Sequence, residues 1–142
     1  MITVVLDTNT VVSAIYWPRS TSRRCLAGLA RRQYALAVTL EVFDEYEAVA
    51  ADLQARLPGC NSTGALAWLR LKAIWVEPAS LAKQRSRDPK DDAFLACALS
   101  ARAKFLVTRD QDLLILGKPF GIQVVTPARF LAGLRKQQLR AS

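Results

Sequence analysis

Histidine is absent from all 142 residues, and that removes several kinds of chemistry at once. An imidazole general base, a Ser-His or Cys-His nucleophile pair, and a metal-independent ribonuclease built on two histidines are excluded. Cysteine is scarce: Cys25, Cys60 and Cys97 are odd in number, far apart and outside any C-x-x-C pair. They predict a reduced, cytoplasmic setting rather than a disulfide framework, with Cys25 and Cys97 as small apolar core residues. No run reaches the ~18 apolar residues of a membrane span. No basic segment precedes the first apolar run, so a signal peptide is not expected either. The six glycines and six prolines are scattered, which argues against a disordered or fibrous chain. With no visible linker or repeat, residues 1–142 are expected to form a single domain.

Hydrophobic residues make up 51% of the chain, and the net charge is +8. The first 58 residues carry as many acids as bases, so the whole excess falls in the remainder. A basic surface beside acidic residues suits a polyanion steered by Arg and Lys, although a basic solvated face or an acidic partner protein would give the same count.

Residues 88–112 are the most informative stretch. Asp88 is a suitable helix N-cap, Pro89 suits the first helical position, and Asp91 could accept from the first-turn amides. Ala93 to Ala103 is nearly all Ala, Leu, Phe and Cys, which predicts a buried helix leading through Lys104 into a short strand, Phe105 to Thr108. Asp110 and Asp112 follow that strand, and Asp92 lies in the first turn of the helix before it. Three carboxylates could therefore meet at one sheet edge. Clustered carboxylates repel unless a cation sits among them, and hard oxygen donors without His or paired Cys point to Mg²⁺ or Mn²⁺.

Earlier in the chain, Ile2 to Leu6 predicts a buried central strand with Asp7, Thr8 and Asn9 at its carboxyl end, where open α/β sheets place ligands. Asp7 could hold a metal or cap the helix that follows; Thr8 and Asn9 could orient Asp7 or share the capping. A short helix to Tyr16 is interrupted by Trp17, Pro18 and Arg19, and a second helix is expected from Ser20 or Thr21 to about Gln33. Trp17 and Arg19 could stack on a base and touch a phosphate, or cover the sheet edge. Tyr34 to Val38 reads as a strand and Leu40 to Leu57 as a helix stopped by Pro58 and Gly59. Glu41 and Glu45 stand one turn apart on that helix, and either could complete the acidic group.

Further strands are expected at Ala73 to Val76 and Ile122 to Val125, with helices at Ala65 to Lys72 and Ala128 to about Leu139, the latter with a frayed basic tail. Lys83, Arg85 and Arg87 sit in a polar loop and are candidate phosphate contacts. Five short strands with intervening helices predict a three-layer α/β/α fold around a central parallel sheet.

These acidic positions, in this order, resemble the PIN-domain family of metal-dependent ribonucleases, on the side of the bacterial VapC toxins of toxin–antitoxin pairs. The fragments that carry the resemblance are Val5-Leu6-Asp7-Thr8-Asn9, the Thr39-Leu40-Glu41 to Glu45 helix start, Asp88 to Ala98, Leu106 to Leu114, and Val125 to Phe130. Together they span nearly the whole chain. The resemblance implies catalytic acids at Asp7, Glu45, Asp92 and Asp110, with Glu41 as rival to Glu45. It implies metal ligands at Asp7, Asp92, Asp110 and Asp112, with Asp91 a close neighbour of uncertain role. Thr108 matches a hydroxyl near the metal, and Asn9 a polar partner of Asp7. Arg109 departs from the usual Thr-Gly-Asp, and it would touch the phosphate or pair with an acid until a metal arrives.

On this reading, Mg²⁺ or Mn²⁺ would polarise a phosphodiester of single-stranded RNA and activate a water for in-line attack. An antitoxin protein and a homodimer are the implied partners, with no membrane association. A nuclease acting on DNA, a receiver-like module and an inactive PIN-like interaction module are the rival readings. The receiver lacks the expected later Lys, and all four acids are present against the inactive module.

Overall fold

A computed structural model describes residues 1–57 and 59–141. Pro58, expected to help stop the long helix, and Ser142 lie outside the described residues. The elements run β1 (Thr3–Leu6), α1 (Thr8–Tyr16), α2 (Thr21–Ala30), β2 (Ala35–Val38), α3 (Leu40–Arg56), α4 (Thr63–Lys72), β3 (Ile74–Trp75), α5 (Asp92–Ser100), β4 (Phe105–Val107), α6 (Gln111–Leu114), β5 (Gln123–Val125) and α7 (Pro127–Ala141). The strands form one parallel sheet in the order β3-β2-β1-β4-β5, flanked by helices as a three-layer α/β/α sandwich.

The chain builds outward from β1 in one direction through β2 and β3, then returns to its other side with β4 and β5. That reversal leaves a crevice at the carboxyl ends of β1 and β4, the place where open α/β sheets bind ligands. Asp7 follows β1 and caps α1, Thr39 follows β2 and caps α3, and Asp110 caps α6 after β4. Three helix N-termini thus open at the same sheet edge.

Burial explains why these segments are strands and helices. Val4, Val5 and Leu6, then Leu36, Ala37 and Val38, then Leu106 and Val107 are fully or almost fully buried, as continuous apolar runs in a covered parallel sheet should be. Helix α5 buries Phe94, Leu95, Ala96, Cys97 and Ala98 against β1, β2 and β4. Each large side chain removed from water there contributes roughly 1.5–3 kcal/mol. Tyr46, wholly buried on α3, donates its hydroxyl to the Leu6 carbonyl and ties that helix to the end of β1. Cys25 and Cys97 are buried core residues, and the three cysteines are free.

Several boundaries differ from expectation for local reasons. Helix α2 stops at Ala30, not Gln33, because Arg32 takes a left-handed φ of 59° and Gln33 N–H closes back on the Gly28 carbonyl at 3.0 Å. The buried helix ends at Ser100, not Ala103, by the same device at Arg102, φ 54°. At its start, Asp88 caps a separate 3-10 turn, Pro89–Asp91, by accepting from Lys90 N at 3.0 Å. Asp91 makes no capping bond to the helix, and α5 proper begins at Asp92.

Strand β3 is only two residues long and half exposed, the short edge of the sheet. At the other end, α7 does not fray at Leu139 but stays helical to Ala141. Its anchor is aromatic: Phe130 lies edge-on to Tyr34 and Phe105, at 5.2 and 5.5 Å between ring centroids.

Candidate active site

Asp7 is 7% exposed, and the chain invests donors in it. The Thr108 hydroxyl donates to Asp7 Oδ2, and the Asn9 backbone N–H reaches Asp7 Oδ1 at 3.4 Å. Burial pushes the Asp7 carboxyl above its usual range, these hydrogen bonds pull it back, and the charge of Asp110 adds to the rise. Asp7 is therefore both the cap of α1 and one wall of the crevice.

Thr108 follows β4 and is fully buried. Its Oγ1 also accepts from Asp110 N–H at 2.9 Å, and Asp110 Oδ1 in turn accepts from Asp112 N–H at 2.9 Å. This tight turn orients two carboxylates. Asp91 joins them, so that carboxylate oxygens of Asp91, Asp110 and Asp112 lie within 4.8 Å of one another. Burial, then the charges of Asp110 and Asp88, push the Asp91 carboxyl up to about 7; a Ser86 hydroxyl at 3.3 Å opposes the rise.

Asp92 is placed differently from its neighbour. Its two oxygens accept the backbone N–H groups of Arg85, at 3.0 Å, and Ser86, at 2.8 Å, so it fastens the loop before the helix. Of the adjacent pair, Asp91 and not Asp92 belongs to the convergent trio. The sequence placed Asp92 among the acids and left Asp91 as a neighbour of uncertain role, and one residue of helical register separates the two. Ser86, 2% exposed within a polar, basic loop, had no signal of its own.

Of the two glutamates on α3 that were candidates for the acidic group, Glu41 is exposed and Glu45 half-buried. Burial raises the Glu45 carboxyl, the nearby Thr8 hydroxyl favours its ionised form, and the Asp7 charge raises it again. Glu45 therefore faces the crevice. Thr8 Oγ1 is buried beside it with no partner at hydrogen-bonding distance.

Arg109 neither pairs with an acid nor leans over the cluster; its Nη1 donates to Ser22 Oγ at 2.9 Å, on α2. Arg85 is likewise engaged, donating twice to the Leu81 carbonyl and lying 5.0 Å over the Phe120 ring. Lys83, Arg87, Arg19 and Asn9 are exposed, and Trp17 is 49% exposed, edge-on to Tyr16.

No Lys or Arg among the described residues pairs with the trio. Among the described residues the ion pairs are Arg56–Asp52 and Arg70–Glu47, both away from it. Three convergent carboxylates, one with its pKa near neutrality and no basic partner, fit a hard divalent ion. Asp91, Asp110 and Asp112 are placed to hold it, with Asp7 and Glu45 alongside. A groove of about 860 Å³ between α3 and α4 is lined by residues such as Leu66, Arg70 and Gln54 and contains none of these acids. Carboxylate chemistry, not cavity size, marks the site.

Comparison with known proteins gives three findings. A sequence model of the PIN domain matches residues 3–112. None of the curated proteins matches the chain. Among solved structures, a chain of VapBC2 from Rickettsia felis, bound in that structure to a DNA fragment from its promoter, shares the fold. The TM-score is 0.57 at 14% identity, over 87% of this chain and 97% of that one.

Proposed function

The chain belongs to the PIN-domain family, whose members are nucleases that use divalent metals, and on that premise we propose that it is a metal-dependent endoribonuclease cleaving single-stranded RNA. The observation that carries the reading is the convergence of Asp91, Asp110 and Asp112 beside buried Asp7 at the reversal point of the sheet, with no Lys or Arg among the described residues paired to them.

In this reading Asp91 takes the metal-holding place that the sequence resemblance gave to Asp92, and Asp92 secures the loop that carries Ser86. Asp7, Asp110 and Asp112 complete the ligand set. Bound Mg²⁺ or Mn²⁺ supplies Lewis-acid polarisation of the phosphodiester and a water acidic enough to attack at neutral pH. The chain's own contributions are positional. Thr108 fixes Asp7 relative to Asp110, Asp110 fixes Asp112, and Glu45 offers a carboxylate with raised proton affinity that can accept a proton from the attacking water. With no histidine in the sequence, proton transfer falls to carboxylates.

The fold shared with the Rickettsia felis VapBC2 chain supports a toxin role with an antitoxin partner. A homodimer and a cytoplasmic setting belong to the same proposal. No helix among the described residues is long and apolar enough to cross a membrane.

The test is cleavage of labelled single-stranded RNA and sequence-matched DNA by the purified chain in Mn²⁺, Mg²⁺ or EDTA. RNA cleavage that requires metal is expected. Equal or better DNA cleavage would transfer the activity to DNA, and a folded chain that binds no metal would favour an interaction module.

A further inference from the structure

Four basic residues of the second part of the chain line one groove away from the acids. Helix α7 lies beside β4 at the β5 edge of the sheet, and between them runs a groove of about 450 Å³ lined by Lys104, Gln123, Val125, Arg129, Lys136 and Arg140, among others. Four of these are cations, no carboxylate lines the groove, and none of the four is in an ion pair among the described residues.

The geometry of the groove follows from the helix. Arg129, Gly133, Lys136 and Arg140 recur at intervals of four, three and four residues, which places them along one face. Gly133 sets the depth: a Cβ there would lie 2.8 Å from Phe105 Cζ, so only glycine allows α7 this close to β4. The helix spans roughly 16 Å from Arg129 to Arg140, at about 1.5 Å per residue. Lys104 stands across from its lower half, with Nζ 5.8 Å from the Phe105 ring centroid.

The upper end of this track adjoins the crevice. Val125, at the carboxyl end of β5, accepts from Thr108 N–H at 2.9 Å, and Thr108 is the residue bonded to both Asp7 and Asp110. The lower end lies at the amino ends of β4 and β5, the far side of the sheet. A polyanion leaving the acids can therefore follow a line of cations along the sheet edge.

We propose that this α7–β5 groove is a binding track for the phosphates of single-stranded RNA extending from the cleavage site. The inference rests on the ribonuclease reading above. Charge complementarity and the line of cations running away from the acids favour a nucleic-acid strand over an acidic protein tail. None of Trp17, Arg19, Lys83, Arg85 and Arg87, the contacts suggested by sequence, lines the track.

The test is fluorescence-anisotropy binding of a labelled single-stranded RNA of about 20 nucleotides to the full chain in EDTA, where cleavage is silent. Lys136→Glu/Arg140→Glu is compared with Lys72→Glu, an exposed site at the end of α4 beside the opposite edge strand. The double variant is expected to bind at least ~10-fold more weakly and to reduce the slope of log K against log salt by about one to two, as loss of phosphate contacts requires. Lys72→Glu should change affinity by less than ~2-fold. Alanine versions of the same pair should show a smaller loss in the same direction, and circular dichroism checks that each variant is folded. Equal losses in the double variant and Lys72→Glu, or no loss in either, would overturn the track. So would tighter binding of a polyglutamate peptide than of RNA through Lys136 and Arg140. Failure of the nuclease reading is separable, because it appears as absent cleavage in Mn²⁺ whatever the binding result.

Discussion

The Thr108 hydroxyl donates to Asp7 Oδ2 while accepting from the Asp110 backbone N–H, so one buried oxygen sets the spacing between the ends of β1 and β4. Thr108→Val keeps the shape and removes both bonds. It should weaken Mn²⁺ affinity or activity by about 10–100-fold, the usual effect of losing a hydrogen bond that orients a ligand. Stability should fall by about 1–3 kcal/mol, because buried Asp7 loses its side-chain donor and keeps the Asn9 N–H. Thr108→Ser should recover most of both, as measured by Mn²⁺ titration and thermal melts.

The raised carboxyls make a pH prediction with a definite sign. Asp91 titrates near 7 in the folded chain, against about 3.9 for a free aspartate. The folded state therefore holds the proton more tightly. Its stabilising contribution is full below about pH 4 and is lost as pH rises through about 7. Asp7 and Glu45, also raised, act in the same direction. The melting temperature of the metal-free chain should thus decline from about pH 5 to about pH 8, and the decline should shrink in Asp91→Asn. Saturating Mn²⁺, which favours the ionised acids, should remove most of it. A metal-free melting temperature that rises over this interval would contradict the assignment.

Much of this was legible in the chain because its signals are local. Apolar runs gave the strands, helix starts were expected at Ser20 or Thr21 and just after Thr39, where Ser20 and Thr39 prove to be the N-caps, and Asp7 and Asp110 follow the strands whose carboxyl ends form the crevice. What could not be read depends on tertiary register. Asp91 and Asp92 are chemically identical neighbours, and only the 3-10 turn preceding α5 sends one to the crevice and the other to the Arg85 and Ser86 amides. Arg109 looked like a cation for the acids, yet Ser22, distant in sequence, claims its guanidinium. The left-handed residues Arg32 and Arg102 end their helices without the glycine that usually signals such a stop.

Gly133 offers a packing prediction independent of catalysis. Gly133→Ala gains helix propensity of up to about 1 kcal/mol, but its methyl collides with the Phe105 ring. Overpacking of this kind costs about 1–3 kcal/mol, so the net change should be destabilising in urea unfolding. Net stabilisation would mean that α7 can lift off the sheet without loss.

Asp92 should behave as a loop anchor. Asp92→Ala leaves the Arg85 and Ser86 N–H groups without acceptors, which should lower stability by about 1–3 kcal/mol. Amide hydrogen exchange at Arg85 and Ser86 should quicken well before that of the β1 core, since the loop opens locally. Unchanged protection at both amides would show that Asp92 does not hold the loop.

The central claim is that Asp91, not Asp92, completes the metal-holding carboxylates. It is tested most directly by measuring Mn²⁺ binding and RNA cleavage for Asp91→Asn and Asp92→Asn side by side, each verified as folded. The account predicts that Asp91→Asn loses Mn²⁺ affinity and cleavage by at least ~100-fold, the scale expected for removing a ligand as opposed to a residue that orients one. Asp92→Asn should keep both within about 10-fold while melting at a lower temperature. Cleavage and metal affinity that survive in Asp91→Asn but vanish in a folded Asp92→Asn would contradict it.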